Sequence, residues 1–136
     1  MATQKPTNIG YAETAKLVAG ELASALTKIV GLEGACTAAE ASTFANPGGA
    51  TKLAANGFSL IAADTVVSSK TTVDNDTVET DHVFKCKTAS QKVTGFALVN
   101  DDEDLHFMEA CFAAEIPAEI DDTITCEGKM QYKLGA

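Results

Sequence analysis

The chain has 136 residues, 46% of them hydrophobic, with 19 acidic against 10 basic side chains and a formal net charge of -9. That length suits one domain, which buries roughly two-thirds of its unfolded surface and needs no covalent staple to fold. The acidic balance argues against a phosphate-tracking surface, which takes clustered Lys and Arg, so neither nucleic acid nor an anionic membrane is an expected partner.

The opening stretch Met1-Ala2-Thr3-Gln4-Lys5-Pro6 contains no apolar h-region, and nowhere do eighteen apolar residues run together. Neither a signal peptide nor a membrane span is therefore expected. Residues 1–8 read as a flexible segment, extended, dispensable for folding and ordered only where a partner holds it. Residues 9–136 read as the single folded domain. Its first element is a helix over 9–26, on whose wheel Ala12, Ala15, Val18, Ala19, Leu22, Ala25 and Leu26 share a sector that faces the core. Thr7 or Asn8 supplies the N-cap.

Thr27 to Leu32 is short and partly β-branched, and reads as the first strand. Cys36 to Asn56 is rich in Ala, Thr and Gly. Asn46-Pro47-Gly48-Gly49 marks a turn within it, with short helical possibilities at Thr37–Thr43 and Ala50–Ala55. No Gly-x-x-x-x-Gly-Lys-Ser/Thr spacing makes this a phosphate loop. It reads as a surface excursion long enough to contact a partner.

Phe58–Thr65 and Val66–Val73 are β in character, and Asp74-Asn75-Asp76 turns the chain into Thr77–Lys87. There Val78, Thr80, His82, Phe84 and Cys86 alternate with polar neighbours, so the two runs form a hairpin. The last third reads as a meander of three strands: Val93–Val99, Leu105–Phe112, and a closing run from Thr123 to Leu134. In the closing run Ile124, Cys126, Met130, Tyr132 and Leu134 fall on even positions, a period of two that buries one face. The fold class is mainly β with one N-terminal helix: an antiparallel β-sandwich or flattened barrel of about seven strands.

Chemistry-bearing groups are sparse, and an enzyme is not expected. His82 and His106 are the two histidines, both within strands, and would act as bases only beside a pocket with acidic partners. Ser59, Ser68, Ser69 and Ser90 lack a nucleophile-elbow context. The acidic groups Asp74/Asp76, Asp101/Asp102/Glu103/Asp104 and Asp121/Asp122 lack the spaced Asp-x-Asp-x-Asp-Gly loop of a Ca²⁺ site and read as solvated turns. No metal and no cofactor is expected. Cys36, Cys86, Cys111 and Cys126 form no Cys-x-x-Cys pair. They read as reduced core residues, with Cys111 and Cys126, on strands expected to be neighbours, the first pair to consider for a disulfide.

Asn8-Ile9-Gly10 with the Ala/Leu helix behind it, a short strand ending in glycines, a Thr/Ala-rich excursion and a β-hairpin together resemble a family of small structural proteins of tailed bacteriophages and related viruses. In that family a strand of the type Ile-Thr-x-x-Gly-Leu-Phe-Asn precedes a turn, then a strand carrying Ala and Phe, then Asp-Thr-Leu-x-Val-x-Trp-x-Ile. Val93-Thr94-Gly95-Phe96-Ala97-Leu98-Val99-Asn100, Met108-Glu109-Ala110-Cys111-Phe112 and Asp122-Thr123-Ile124-Thr125 are similar, in the same order. The family's Gly-Thr-Gly after the first strand is Gly31-Leu32-Glu33-Gly34 here, and no Trp occupies the last strand.

The resemblance implies a virion component without an active site, made in the host cytoplasm: a capsid decoration protein on the major capsid protein, or a neck, tail or fibre protein. A carbohydrate- or receptor-binding module is the reading of another class. With six Phe, two Tyr and no Trp, the chain has few aromatics for a sugar-stacking platform. A homo-oligomer is expected, a trimer by preference because capsid lattices offer three-fold sites. The expected docking residues are Thr3, Gln4, Lys5 and Pro6 at the N-terminus and Asn46, Pro47, Gly48 and Gly49 in the excursion.

Overall fold

The computed structural model describes residues 3–21, 25–72, 74, 76–100 and 106–132. The elements are β1 (Thr3–Pro6), α1 (Asn8–Ala19), β2 (Leu26–Glu33), β3 (Thr51–Lys52), β4 (Ile61–Ala62), β5 (Thr65–Ser69), β6 (Thr77–Lys85), β7 (Gln91–Asn100), β8 (His106–Ala118) and β9 (Thr123–Gln131). The fold is mainly β with one helix, in two antiparallel sheets, with no closed barrel among the described strands. The larger sheet has the order β1-β8-β7-β2-β3, with β4 also on β2; the smaller is β5-β6-β9. The seven strands expected from sequence correspond to β2, β4, β5, β6, β7, β8 and β9, and the short β1 and β3 are additional.

One core lies between the sheets, where Phe58, Phe84, Phe96, Leu98, Met108 and Cys126 meet. A second lies on the far side of the larger sheet, where Val30, Leu32, Ala97 and Val99 pack under Ala50, Cys36 and Phe44 of the excursion. A sheet covered on both faces has no wet side. This explains why β2 and β7 read as apolar runs while β6 and β9, with one face in solvent, alternate. Along β9, Ile124, Cys126, Gly128 and Met130 are buried and the residues between them exposed, as the period of two implies.

Met130→Asp is expected to cost about 3 kcal/mol, because an unpaired carboxylate enters a mostly dry site at the end of the strand. Lys129→Ala, which gives up only an exposed ion pair with Glu79 at 2.7 Å, should lower the melting temperature far less. Thermal melts of the two variants check the register, and equal midpoints would overturn it.

Several expectations are corrected. The last third is not a three-strand meander: β7 and β8 pair, but β9 leaves for the other sheet and pairs with β6 along its whole length, from Thr77 opposite Gln131 to Lys85 opposite Thr123. Tyr132 lies past the end of β9 and is exposed. Leu134 and the turn 101–104 lie outside the described residues. β8 continues beyond Phe112 to Ala118, with a shift of register that leaves residues 112–115 outside the ladder. Pro117 is tolerated there because β1 covers β8 only from Met108 to Cys111, leaving one side of Pro117 without a strand to donate to.

The helix is shorter than expected and turns a different face inward. Thr7 caps it, accepting from Gly10 N at 3.1 Å, and Gly20, at φ 74, ends it in the left-handed region. Leu26 therefore starts β2, and residue 22 lies outside the described residues. The buried positions of α1 are Gly10 and Glu13, while Ala12, Ala15, Val18 and Ala19 are exposed. The reason is the close approach at Gly10, where a Cβ would sit 2.4 Å from the carbonyl oxygen of Phe107. An Ala stripe has too little surface to bury to outweigh that contact.

Residues 3–8 belong to the fold and do not wait for a partner. β1 runs antiparallel to β8, with Thr3 opposite Cys111 and Pro6 opposite Met108. The Gln4 amide bonds to β9, donating to Glu127 O and accepting from Lys129 N, both at 3.2 Å. It thereby ties the edges of the two sheets together. Thr7 is fully buried, and its N–H donates to Phe107 O at 2.9 Å. Removing residues 2–8 would strip a strand, a helix cap and this tie from the domain.

Candidate functional site

The two segments singled out for docking converge on one stretch of β8, Met108 to Cys111. β1 reaches it through the ladder. The excursion reaches it through Glu109 and Cys111: Glu109 Oε1 accepts from Ala39 N at 2.7 Å and from Ser42 Oγ at 2.5 Å, and Cys111 is disulfide-bonded to Cys36. Ser42 Oγ accepts in turn from Gly48 N at 3.2 Å, and Thr37 N donates to Gly48 O at 2.8 Å. The Asn46-Pro47-Gly48-Gly49 turn is thus folded down over Glu109. Gly48 is required there by its φ of 64 and by the Thr37 carbonyl, 3.0 Å from where a Cβ would be. Pro47 is buried and Gly48 half-buried, leaving Asn46 and Gly49 exposed. Of the N-terminal residues, Thr3, Gln4 and Lys5 are exposed and Pro6 is half-buried. Neither Thr37–Thr43 nor Ala50–Ala55 forms a helix. The excursion is held instead by these polar anchors and the disulfide, together with Cys36, Phe44 and Ala50 packed on the sheet.

The disulfide corrects the expectation of four reduced cysteines. Cys36 and Cys111 lie 5.5 Å apart at Cα, whereas Cys126 is in the other sheet from Cys111 and stays a buried free thiol, as does Cys86. The sequence had offered Cys126 as the partner on the premise that β8 and β9 are neighbours, and that premise fails. Burial pushes the Cys126 thiol up to about 12, so it is protonated and inert at neutral pH.

Glu109 and Ser42 are the chemistry-bearing residues that sequence reading missed. Glu109 is fully buried, and His106 Nε2 lies 3.4 Å from its Oε2. Burial would raise its pKa, but the hydrogen bonds from His106, Ser42 and Ala39 N outweigh this and hold the carboxyl below its ordinary value. The only sequence signal was an acid at an inward position of an apolar strand, Phe107-Met108-Glu109-Ala110-Cys111. Ser42, Glu109 and His106 do not make a nucleophilic triad: the carboxylate lies between hydroxyl and imidazole, and His106 is fully buried with no opening to a substrate. The arrangement pins a loop.

His82 Nδ1 stands 3.1 Å from Asp64 Oδ2 but outside hydrogen-bonding geometry, with its ring edge-on to Phe84 at 4.6 Å. Two acidic groups build turns. Asp76 accepts from Thr71 N at 2.8 Å, Thr72 N at 2.9 Å and the Gln131 amide at 2.9 Å. Burial acts to raise the pKa of Asp76, and these bonds overcome it and hold the carboxyl well below the usual range. Asp122 accepts from Glu119 N at 2.8 Å, while Asp121 pairs with Lys85 at 3.2 Å. Among the described residues no three His, Cys, Asp or Glu side chains gather into a metal-binding group.

The groove between Pro6, Tyr11, Phe107 and Tyr132 has a volume of about 30 Å³. Small-molecule sites are roughly ten times larger or more. Two larger depressions are open surfaces: one of about 260 Å³ over β6 and β9, lined by Glu79, Asp81, Glu127 and Lys129, and one of about 340 Å³ beside Gln91, Lys92, Pro117 and Glu119. The conspicuous surface feature is α1. Val18 is 85% exposed, with Tyr11 and Leu17 also well exposed beside Ala12, Ala15 and Ala19. Comparison with known proteins finds no matching family model, no matching curated protein and no matching solved structure.

Proposed function

We propose that the protein is a non-enzymatic structural component of a virus particle, a decoration protein that binds the outer surface of the capsid through the major capsid protein. The observation that carries this reading is the uncovered apolar face of α1, Tyr11, Ala15 and Val18, on a rigid two-sheet scaffold. Contiguous exposed apolar side chains on a helix mark a surface that another protein covers. The resemblance supplies the class of partner. The exposed Thr3, Gln4, Lys5, Asn46 and Gly49 lie on segments anchored to the same part of β8 and add polar contacts around such a footprint.

The disulfide fits this reading, since a protein made in the host cytoplasm and carried on the outside of a released particle meets an oxidising medium there. Repeated use of one small interface by a homo-oligomer adds avidity. The test is the copy number in purified particles of wild type and of Val18→Glu, whose exposed position leaves folding intact. Abundance comparable to the major capsid protein, lost in the variant, is the expected result. A few copies per particle would indicate a neck or tail protein instead, and full occupancy by the variant would remove α1 as the contact.

A further inference from the structure

We infer that β5 is an edge through which two copies of this chain join, extending the smaller sheet across a two-fold axis. The inference is independent of the virion reading. A strand edge offers unpaired backbone donors and acceptors, and proteins blunt such edges with charge, proline, brevity or a cover. On the larger sheet, β1 carries Lys5 and Pro6, and β3 and β4 are two residues each. On the smaller sheet, the edge at β9 is occupied by the Gln4 amide at Glu127 O and Lys129 N.

β5 carries neither charge nor proline, and no described strand covers its outer edge. It is Thr65-Val66-Val67-Ser68-Ser69, and among the described strands it pairs with β6 alone. Val66 and Val67 are 41% and 47% exposed. Such a strand, β-branched and uncharged with exposed valines, is suited to pairing with another strand.

The flanking charges say which strand. Asp64 immediately precedes β5 and Lys70 immediately follows it, both exposed. In an antiparallel pair of two β5 strands centred on Val67, Thr65 stands opposite Ser69, and Asp64 of each copy stands opposite Lys70 of the other. The two-fold makes that ion pair twice, once at each end. A parallel pair would set Asp64 against Asp64 and Lys70 against Lys70, which is repulsive. Between chains of net charge -9, a segment that is locally neutral and self-complementary is the place where contact is least opposed. Asp64 now faces His82 at 3.1 Å and Lys70 faces Asp74 at 3.3 Å. The Lys70–Asp74 pair, exposed on both sides, exchanges at little cost, while Asp64, whose Oδ2 also accepts from Val83 N at 3.3 Å, keeps its second oxygen for Lys70 of the other copy. The dimer would carry one sheet of order β9-β6-β5 continued by the β5-β6-β9 of the second copy, with Val67 meeting Val67 on the axis.

The test uses the full chain free in solution. Directly opposed residues in an antiparallel pair lie about 4.5–5.5 Å apart at Cα, within reach of a disulfide. Val67→Cys should therefore form a covalent dimer on mild oxidation, while Val83→Cys, equally exposed on β6 but off the edge, should not. By sedimentation equilibrium, Lys70→Glu should weaken the dimer about tenfold or more without changing the melting temperature, since it sets like charges opposite each other at both ends. The exchange variant Asp64→Lys with Lys70→Glu should recover it. A wild-type protein that stays monomeric, or a trimer in which Val67→Cys cross-links no better than Val83→Cys, would overturn the inference, as would a dimer indifferent to Lys70→Glu.

Discussion

Glu109→Ala is expected to destabilise the protein by about 3–5 kcal/mol, the loss seen when one member of a buried charged network is removed and its partners are left unpaired. The partners are Ala39 N, Ser42 Oγ and His106, all tied to a carboxylate without solvent exposure. Denaturant unfolding gives the magnitude. Faster amide exchange at Ala39 and Gly48 than in the rest of the domain would show that the loss begins in the excursion. A variant within 1 kcal/mol of wild type would mean that water replaces the carboxylate, and the pinning role would fall.

The pH dependence follows with a definite sign. The pKa of Glu109 is lower in the folded protein than its ordinary value of about 4.3, so below that range the unfolded chain binds the extra proton. The stabilisation is present above the unfolded pKa and is lost as pH falls through the folded one. Asp76 acts with the same sign. Wild type should therefore lose stability as pH drops below about 4, and Glu109→Gln should show a shallower loss with the Asp76 contribution retained.

Removing the Cys36–Cys111 bond is expected to cost about 4.5 kcal/mol by the chain-entropy relation, because the sequence separation it closes is 75. Cys36→Ser with Cys111→Ser measures this by denaturant unfolding, and the effect should be smaller when Glu109 is already Ala, since both hold the same segment. Thiol titration of the unreduced protein under denaturant should count two, from Cys86 and Cys126, and four after reduction. A count of four without reductant would show that the bond does not form.

The reading from sequence was most accurate where burial is one-sided. Strands β6 and β9 alternate because one face meets the opposing sheet and the other meets water, so local pattern and tertiary environment carry the same information. The Asn46-Pro47-Gly48-Gly49 turn and a cap at Thr7 or Asn8 were legible for a similar reason, since backbone conformation there is chosen by the residues themselves, and the structure puts the cap at Thr7. The face of α1 was not legible. Its wheel weighs apolar surface, whereas the contact that decides is the steric one at Gly10 against Phe107.

What the sequence by itself determined is therefore the class of the fold, mainly β with one capped N-terminal helix and antiparallel strands, since period, turn chemistry and capping act over a few residues. What only the tertiary structure decided is which strands are neighbours. That choice sent β9 to β6, gave Cys111 the partner Cys36, and set Glu109 beneath the excursion. It also left β5 paired, among the described strands, with β6 alone. Pairing joins residues far apart in the chain, and a strand's own side chains encode which face is buried but not whose backbone lies beside it.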